Sequence, residues 1–282
     1  ASTIRRTGNR CHSNIRKRRP SSANWKNSSR TSQSARGFLN TILELRRLYD
    51  RHGCRGIALV SSANIACGFH AGDPSVMQKS VLLCKKYGVQ VGAHPGLPDL
   101  QGFGRRKMEI SPAEAEADVI YQIGALKAFC DAAGVPLHHV KPHGALYNMA
   151  AKDPELAAAI CRAVKAAAPE AILLALSGSE MIKAAQTLGL RVCSEVFADR
   201  GYQPDGTLVP RGKPGAMIEN EEEAIARVLQ MAKQGTVCAV DGSAVALQAD
   251  SVCVHGDGPK ALAFVRKISA ALPAAGVEIK AQ

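Results

Sequence analysis

The chain lacks the short signatures that most readily give away a chemistry. It has no GxSxG elbow, no HExxH zinc helix, no GxxxxGK[ST] phosphate loop and no Rossmann GxGxxG. The common serine-hydrolase, zinc-protease, P-loop and dinucleotide readings are therefore set aside, and a bound nucleotide would need another explanation. No CxxC pair occurs among its nine cysteines. An odd count lying mostly in apolar segments reads as small buried hydrophobes in a reducing, cytoplasmic protein, not as a disulfide or zinc framework. No apolar run approaches the ~20 residues of a membrane span. The chain also opens without the roughly 7–15-residue apolar stretch of a secretory signal. Neither insertion into a membrane nor secretion is expected.

Acidic residues are nearly missing from the front. Of 36 basic and 24 acidic residues, fourteen and two lie in the first 56 positions, the acids being Glu44 and Asp50, which leaves 22 of each in the body. The body is neutral, so the net charge of +12 gives it no reason to bind nucleic acid. Residues 1–37 are rich in Ser, Arg and Asn and carry no helical or strand period. They cannot bury enough apolar surface to offset chain entropy, and disorder is expected there. The organisation expected is a basic, low-complexity segment at 1–58 and one catalytic domain at 59–282. Roughly 225 residues suit a single α/β barrel or doubly wound domain.

What is present begins at Ile57. Apolar runs at 57–66, 89–93, 137–140, 171–176, 190–196 and 251–254 read as buried strands. Stretches at 74–87, 112–133, 153–167, 179–188, 220–233 and 259–272 read as amphipathic helices. Asp73-Pro74, Ser111-Pro112 and Asp153-Pro154 each offer an N-cap followed by proline at the first helical position. Strand then helix, repeated, implies a parallel sheet. Histidine is scarce, at eight residues, yet four fall in polar strings just after strands: GFHAGDP (His70), GAHPG (His94), KPHGALYN (His143) and VHGDGP (His255). In a parallel barrel those positions share the carboxyl-end face. At least three of the four are expected in one pocket, with Lys141 in reach.

The strings SSANIACGFHAGDP (61–74), GAHPGLPDLQGFGRR (92–106), HHVKPHGALYN (138–148), SEVFADRGYQPDGTLVPR (194–211) and CVHGDGP (253–259) resemble those of the 5-oxoprolinase A-subunit family, also called the LamB/YcsF lactam-utilisation family. The resemblance runs from Leu59 to the C-terminus. It implies a modified TIM-type barrel of about seven strands, similar to polysaccharide deacetylases. It also implies ATP-dependent opening of 5-oxoproline to L-glutamate together with two partner subunits, of B and C type, the complex consuming the ATP. Since no phosphate loop is present, activity is expected only in the complex. Alternatives are a metal-dependent, deacetylase-like hydrolase on the same barrel and a non-catalytic subunit.

A lactam is a poor electrophile, so its site must polarise the carbonyl, activate water and protonate the leaving nitrogen. His70, His94, His143 and His255 are the acid/base candidates. Any divalent metal would take His70, His94 and His143, although no local spacing marks a metal motif. Lys141 and Arg200 are candidates for stabilising oxyanion charge or holding the substrate carboxylate. Asp73, Glu195, Asp199 and Asp257 are candidates for orienting imidazoles or carrying protons. Asn64 is a substrate hydrogen-bonding candidate and Arg211 a further substrate-binding one, while Arg105, Arg106 and Arg211 also suit phosphate or a subunit face.

One departure stands out. Members of the family begin with an acidic string resembling DLNADLGE, of which only Leu39-Asn40-Thr41 and Glu44 give a trace here. Codons compatible with Arg46 to Ala58, read one base later, spell GAYTIGTDAEALP, a sensible lead into Leu59-Val60. Much of 1–58 is accordingly read as out-of-frame, and the first-strand position is expected to be empty or badly filled.

Overall fold

A computed structural model describes residues 38–45, 57, 60–255, 261–279 and 281. The expected disorder of residues 1–37 and the frame-shifted stretch at 46–58 lie outside these residues, apart from Ile57. Seven parallel strands form the barrel wall: β1 (Phe38–Leu45), β2 (Ser62–Ala66), β3 (Gln90–His94), β4 (Leu137–Val140), β5 (Ile172–Leu176), β6 (Val192–Phe197) and β9 (Ser251–His255). They pair in that order, and β1 pairs with β9 to close the ring. The barrel of about seven strands implied by the resemblance is therefore present.

The sequence predicts that the family's first strand is lost or replaced and its position empty or badly filled; it is replaced, and the position is not empty. β1, FLNTILEL, fills that position, with Ile42 and Leu43 in register with Ser62 and Ala63 of β2 and with Cys253 and Val254 of β9. Alternating threonine, isoleucine and leucine suit a strand, and a strand paired on both sides leaves β2 and β9 without open edges. The acidic string is absent from this segment, yet the backbone ladder needs no particular side chain. A short strand, β10 (Glu278–Ile279), adds to the start of β1. An antiparallel hairpin of β7 (Thr236–Cys238) and β8 (Ala244–Ala246) stands apart. Strands of two or three residues are too short to show a period in sequence.

The helices are α1 (Pro74–Tyr87), α2 (Pro112–Ala133), α3 (Gly144–Ala150), α4 (Pro154–Ala167), α5 (Glu180–Thr187), α6 (Glu221–Gln234) and α7 (Ala261–Ala274). Their ends obey local chemistry. Asp73 caps α1 by accepting from Val76 N at 2.9 Å, and Ser111 with Glu114 makes a capping box on α2. Gly88, Gly134 and Gly235 end α1, α2 and α6 in the left-handed conformation that a side chain would resist. On α2, Ala115, Val119, Ile123, Leu126 and Cys130 are fully buried. Their spacing of about one turn forms one stripe against the barrel and α4, and full burial of each large side chain is worth about 1.5–3 kcal/mol. Six of the seven described cysteines are buried and Cys238 is half-buried, all as free thiols. Burial pushes Cys67 and Cys84 up to about 12, so they are inert packing groups.

Because β1 closes the ring through its backbone, Leu43→Pro should remove a ladder donor between two neighbours. A cost of about 1–3 kcal/mol for the ladder acceptor left unpaired predicts a fall of roughly 2–12 °C in unfolding temperature. Thermal unfolding followed by circular dichroism checks this, and an unchanged midpoint would place β1 outside the folded barrel.

Candidate active site

Parallel strands deliver the loops that follow them to one face. There a cavity of about 620 Å³ opens at the ends of β4, β5 and β6, where Lys141, Leu176 and Phe197 line it. Arg105, Lys107, Lys152, Arg200 and Arg211 add positive charge to its wall, and Asp153 is the one acidic lining residue among those described. Asp153 is already engaged as the N-cap of α4, accepting from Glu155 N and Leu156 N. The cavity thus offers its occupant a cationic surface.

Lys141, 2 % exposed, forms a buried ion pair of 2.8 Å with Glu195, which is wholly buried. The second carboxylate oxygen of Glu195 accepts from Tyr147 Oη at 3.0 Å. The Lys141 ammonium also donates to Cys253 Sγ at 3.2 Å and lies 5.0 Å from the Phe197 ring centroid. Two charges removed from water need this density of partners. Burial, reinforced by the adjacent Glu195 charge, raises the Tyr147 phenol well above its ordinary range, so it stays a hydrogen-bond donor.

Beside this pair, three imidazoles converge from three loops. His70 follows β2, His94 ends β3 and His143 precedes α3. All three are buried, and their nearest nitrogens lie within 4.8 Å of one another. The rings of His70 and His143 stack at 3.9 Å with an interplanar angle of 8°. His143 Nδ1 lies 2.9 Å from His94 Nε2. Only His143 of the three lines the cavity, with the other two behind it. Two glycines make the cluster possible. A Cβ on Gly96 would sit 2.6 Å from His70 Nδ1, and one on Gly104 would sit 2.9 Å from His143 Cδ2. Gln122 on α2 fixes the first of these loops by accepting from Gly96 N and donating to Gly96 O, both at 2.9 Å.

Of the remaining sequence candidates, several have other work. Asp73 is exposed and caps α1, because a carboxylate one residue before Pro74 is aimed at the helix start. Asn64 is fully buried and its Oδ1 lies 2.9 Å from His139 Nε2, so it holds a core imidazole and does not line the cavity. Arg200 lines the cavity but donates to Ala216 O at 3.0 Å and Val209 O at 2.5 Å, which ties down the loop after β6. Asp199 is half-buried outside the cavity lining. Arg211 lines it, with Nη1 3.3 Å from Met217 Sδ. Arg105 lies over the Phe103 ring and lines the cavity. Arg106 instead pairs with Asp99, whose carboxyl it holds down to about 2. His255 ends β9; its side chain and all of Asp257 lie outside the described residues.

Sequence reasoning passed over Tyr147, Phe197, Lys107 and the Phe103 carbonyl. Tyr147 and Phe197 sat inside the quoted strings, but nothing local shows that a tyrosine four residues beyond a histidine meets a glutamate on another strand. His139 was also passed over. It is buried without charge, since desolvation, with the neighbouring His138, lowers its pKa well below 6.5.

Residues 55–282 match the LamB/YcsF family. A protein of Clostridium beijerinckii, named as the A subunit of 5-oxoprolinase, is 60 % identical over 223 residues, 79 % of this chain and 88 % of that one. Its Bacillus subtilis namesake is 57 % identical over 222 residues, 79 % and 86 % of the two chains. The crystal structure of the Lactam Utilization Protein from Thermus thermophilus matches with a TM-score of 0.80 at 48 % identity, over 86 % of this chain and 99 % of that one.

Two outcomes follow from the buried charges. Glu195→Gln leaves the Lys141 ammonium without its counter-charge and should cost about 3–5 kcal/mol. Tyr147→Phe removes only one hydrogen bond to a charged group, about 1.5–3 kcal/mol. Denaturant titration orders the two, and the reverse order would show that the ion pair does not form. His139 gives a pH effect. Its folded pKa lies below the ordinary 6.5, so its contribution is complete above that pH and is lost as pH falls below it towards the folded value. Unfolding temperature should drop between about pH 7.5 and 5.5, and drop less in His139→Gln. Equal slopes would show that His139 is not the group responsible.

Proposed function

The chain belongs to the LamB/YcsF family, and from that membership we propose that it is the A-type subunit of a 5-oxoprolinase. It is a hydrolase that opens the lactam ring of 5-oxoproline to L-glutamate. Two further subunits, of B and C type, complete a cytoplasmic complex that consumes ATP. The observation that carries the reading is the Lys141–Glu195 pair, set in the wall of a cationic cavity beside an imidazole cluster.

Each demand of the reaction has a candidate group at the cavity. The lactam carbonyl oxygen gains negative charge as water adds, and a fixed ammonium in a low-dielectric wall stabilises that charge most when it needs no reorganisation. Lys141 is the candidate: Glu195 and the surrounding rings hold its Nζ in position. The substrate also carries a carboxylate, for which Arg105, Lys107 and Arg211 supply cationic partners on the same wall. Proton movements, from the attacking water and to the departing nitrogen, fall to the histidine end of the cavity, where His143 is the member that lines it. A volume of about 620 Å³ lies within the ordinary range for small-molecule sites and exceeds what one lactam requires. The names of relatives at 60 % and 57 % identity support the substrate. ATP use is our assignment to the complex, since the chain has no phosphate-loop sequence.

Purified alone, the chain should show negligible 5-oxoproline hydrolysis and should gain it with its two partner subunits and ATP. Full ATP-coupled turnover by the chain alone would refute this division of labour. In the reconstituted complex, Lys141→Met should lower kcat by about 10²–10³-fold, the scale of losing one oxyanion donor. Arg105→Ala and Arg211→Ala should act mainly on KM. Wild-type kcat in Lys141→Met would remove Lys141 from the chemistry.

A further inference from the structure

Two backbone carbonyls fix the tautomers of the imidazole cluster. A carbonyl oxygen only accepts. His94 Nδ1, 2.6 Å from Lys141 O, therefore carries a proton, and so does His143 Nε2, 2.8 Å from Phe103 O. With both rings neutral, the nitrogens left over are His94 Nε2 and His143 Nδ1, and these two face each other at 2.9 Å. Both then present lone pairs to the same space. Such an arrangement is repulsive unless an N–H donor or a cation, either an extra proton or a metal ion, sits among them.

Three observations favour the metal ion. The third imidazole, His70, brings its nitrogen into the same group, within 4.8 Å, which a proton shared by two rings does not need. The remote N–H groups of His94 and His143 are each pinned to a carbonyl, the outer-shell pattern that orients metal-bound histidine. The backbone is also bent to supply one of those carbonyls. Phe103, whose carbonyl holds His143, is the one non-glycine residue among those described with a positive φ, 55°, a conformation retained where the surroundings require it. The spacing fits as well. A tetrahedral ion with bonds of about 2.0–2.1 Å sets its nitrogen ligands about 3.3–3.4 Å apart, between the 2.9 Å and 4.8 Å found here.

We infer that His70, His94 and His143 form a three-imidazole site for one divalent transition-metal ion at the inner wall of the cavity. Nitrogen donors without a carboxylate select zinc, cobalt or nickel over magnesium or calcium. An ion held by three protein ligands keeps a fourth position for water and acidifies it. The inference rests on ring tautomers and not on the lactam-opening reading, so the two can fail separately.

The test uses the full chain, stripped with a chelator and titrated with zinc and with cobalt. Plasma mass spectrometry and calorimetry should give about one ion per chain, and zinc should raise the unfolding temperature. The cobalt form should show visible absorption that changes when any one histidine is replaced. His94→Gln and His143→Gln should each weaken binding by more than about 100-fold, beyond the 10–100-fold loss expected from an outer-shell partner. Circular dichroism reports whether each variant folds, and His70→Gln, on a loop, serves if they do not. No stoichiometric binding of zinc or cobalt overturns the inference, and so does binding unaffected in folded variants. A chain that opens 5-oxoproline with its partners while holding no ion overturns it too and leaves the function standing. Ion binding without lactam turnover in the complex does the reverse.

Discussion

Closure of the barrel by β1 is the constraint on which the rest depends. A parallel sheet directs the loops after its strands to one face, but those loops converge on a common centre only when the sheet curls and meets itself. Here the meeting is the β9–β1–β2 pairing. Within the ring β2, β3 and β4 are direct neighbours, so His70, His94 and His143 leave from adjacent strand ends. β9 pairs directly with β6 as well, and Cys253 receives a hydrogen bond from the Lys141 ammonium.

The strand that performs this closure is also where the chain departs from its family. The family match begins at residue 55, beyond β1. The structural match to the Thermus thermophilus protein takes in 86 % of this chain, more than residues 55–282 span, and 99 % of the other. It therefore takes in residues ahead of position 55. A backbone can serve as a strand with many side chains, since the ladder is made by N–H and C=O groups. The register sets Glu44 beside both Asn64 and His255, an acidic position at the carboxyl end of the closing strand.

Charge at the site is arranged in two layers. Deep in the wall, Lys141 and Glu195 neutralise each other, and Tyr147 and Cys253 complete their contacts. Towards the mouth, Arg105, Lys107 and Arg211 outweigh Asp153. The deep pair offers a fixed donor without a large net field, and the outer layer attracts anions. The cavity presents net positive charge at its rim and fixed hydrogen-bonding groups at its base.

The sequence by itself determined six of the seven described helices and most of the strands, because their causes are local. Proline after Asp73, Ser111 and Asp153 fixes where α1, α2 and α4 begin, and glycine at 88 and 134 fixes where α1 and α2 end. It also determined that His70, His94 and His143 leave from the same end of a parallel sheet, since each follows a strand. Only the tertiary structure decided which candidates meet. Asp73 and Asn64 were equal to Glu195 as polar residues near strand ends. Asp73 is drawn to its own helix, Asn64 to the buried His139, and Glu195 alone of the three reaches Lys141. The tautomers of His94 and His143 were equally out of reach, for they depend on carbonyls 47 and 40 residues away in the chain. Local sequence sets φ, ψ and the period of burial; partners across the barrel are set by register and closure, which no window of sequence contains.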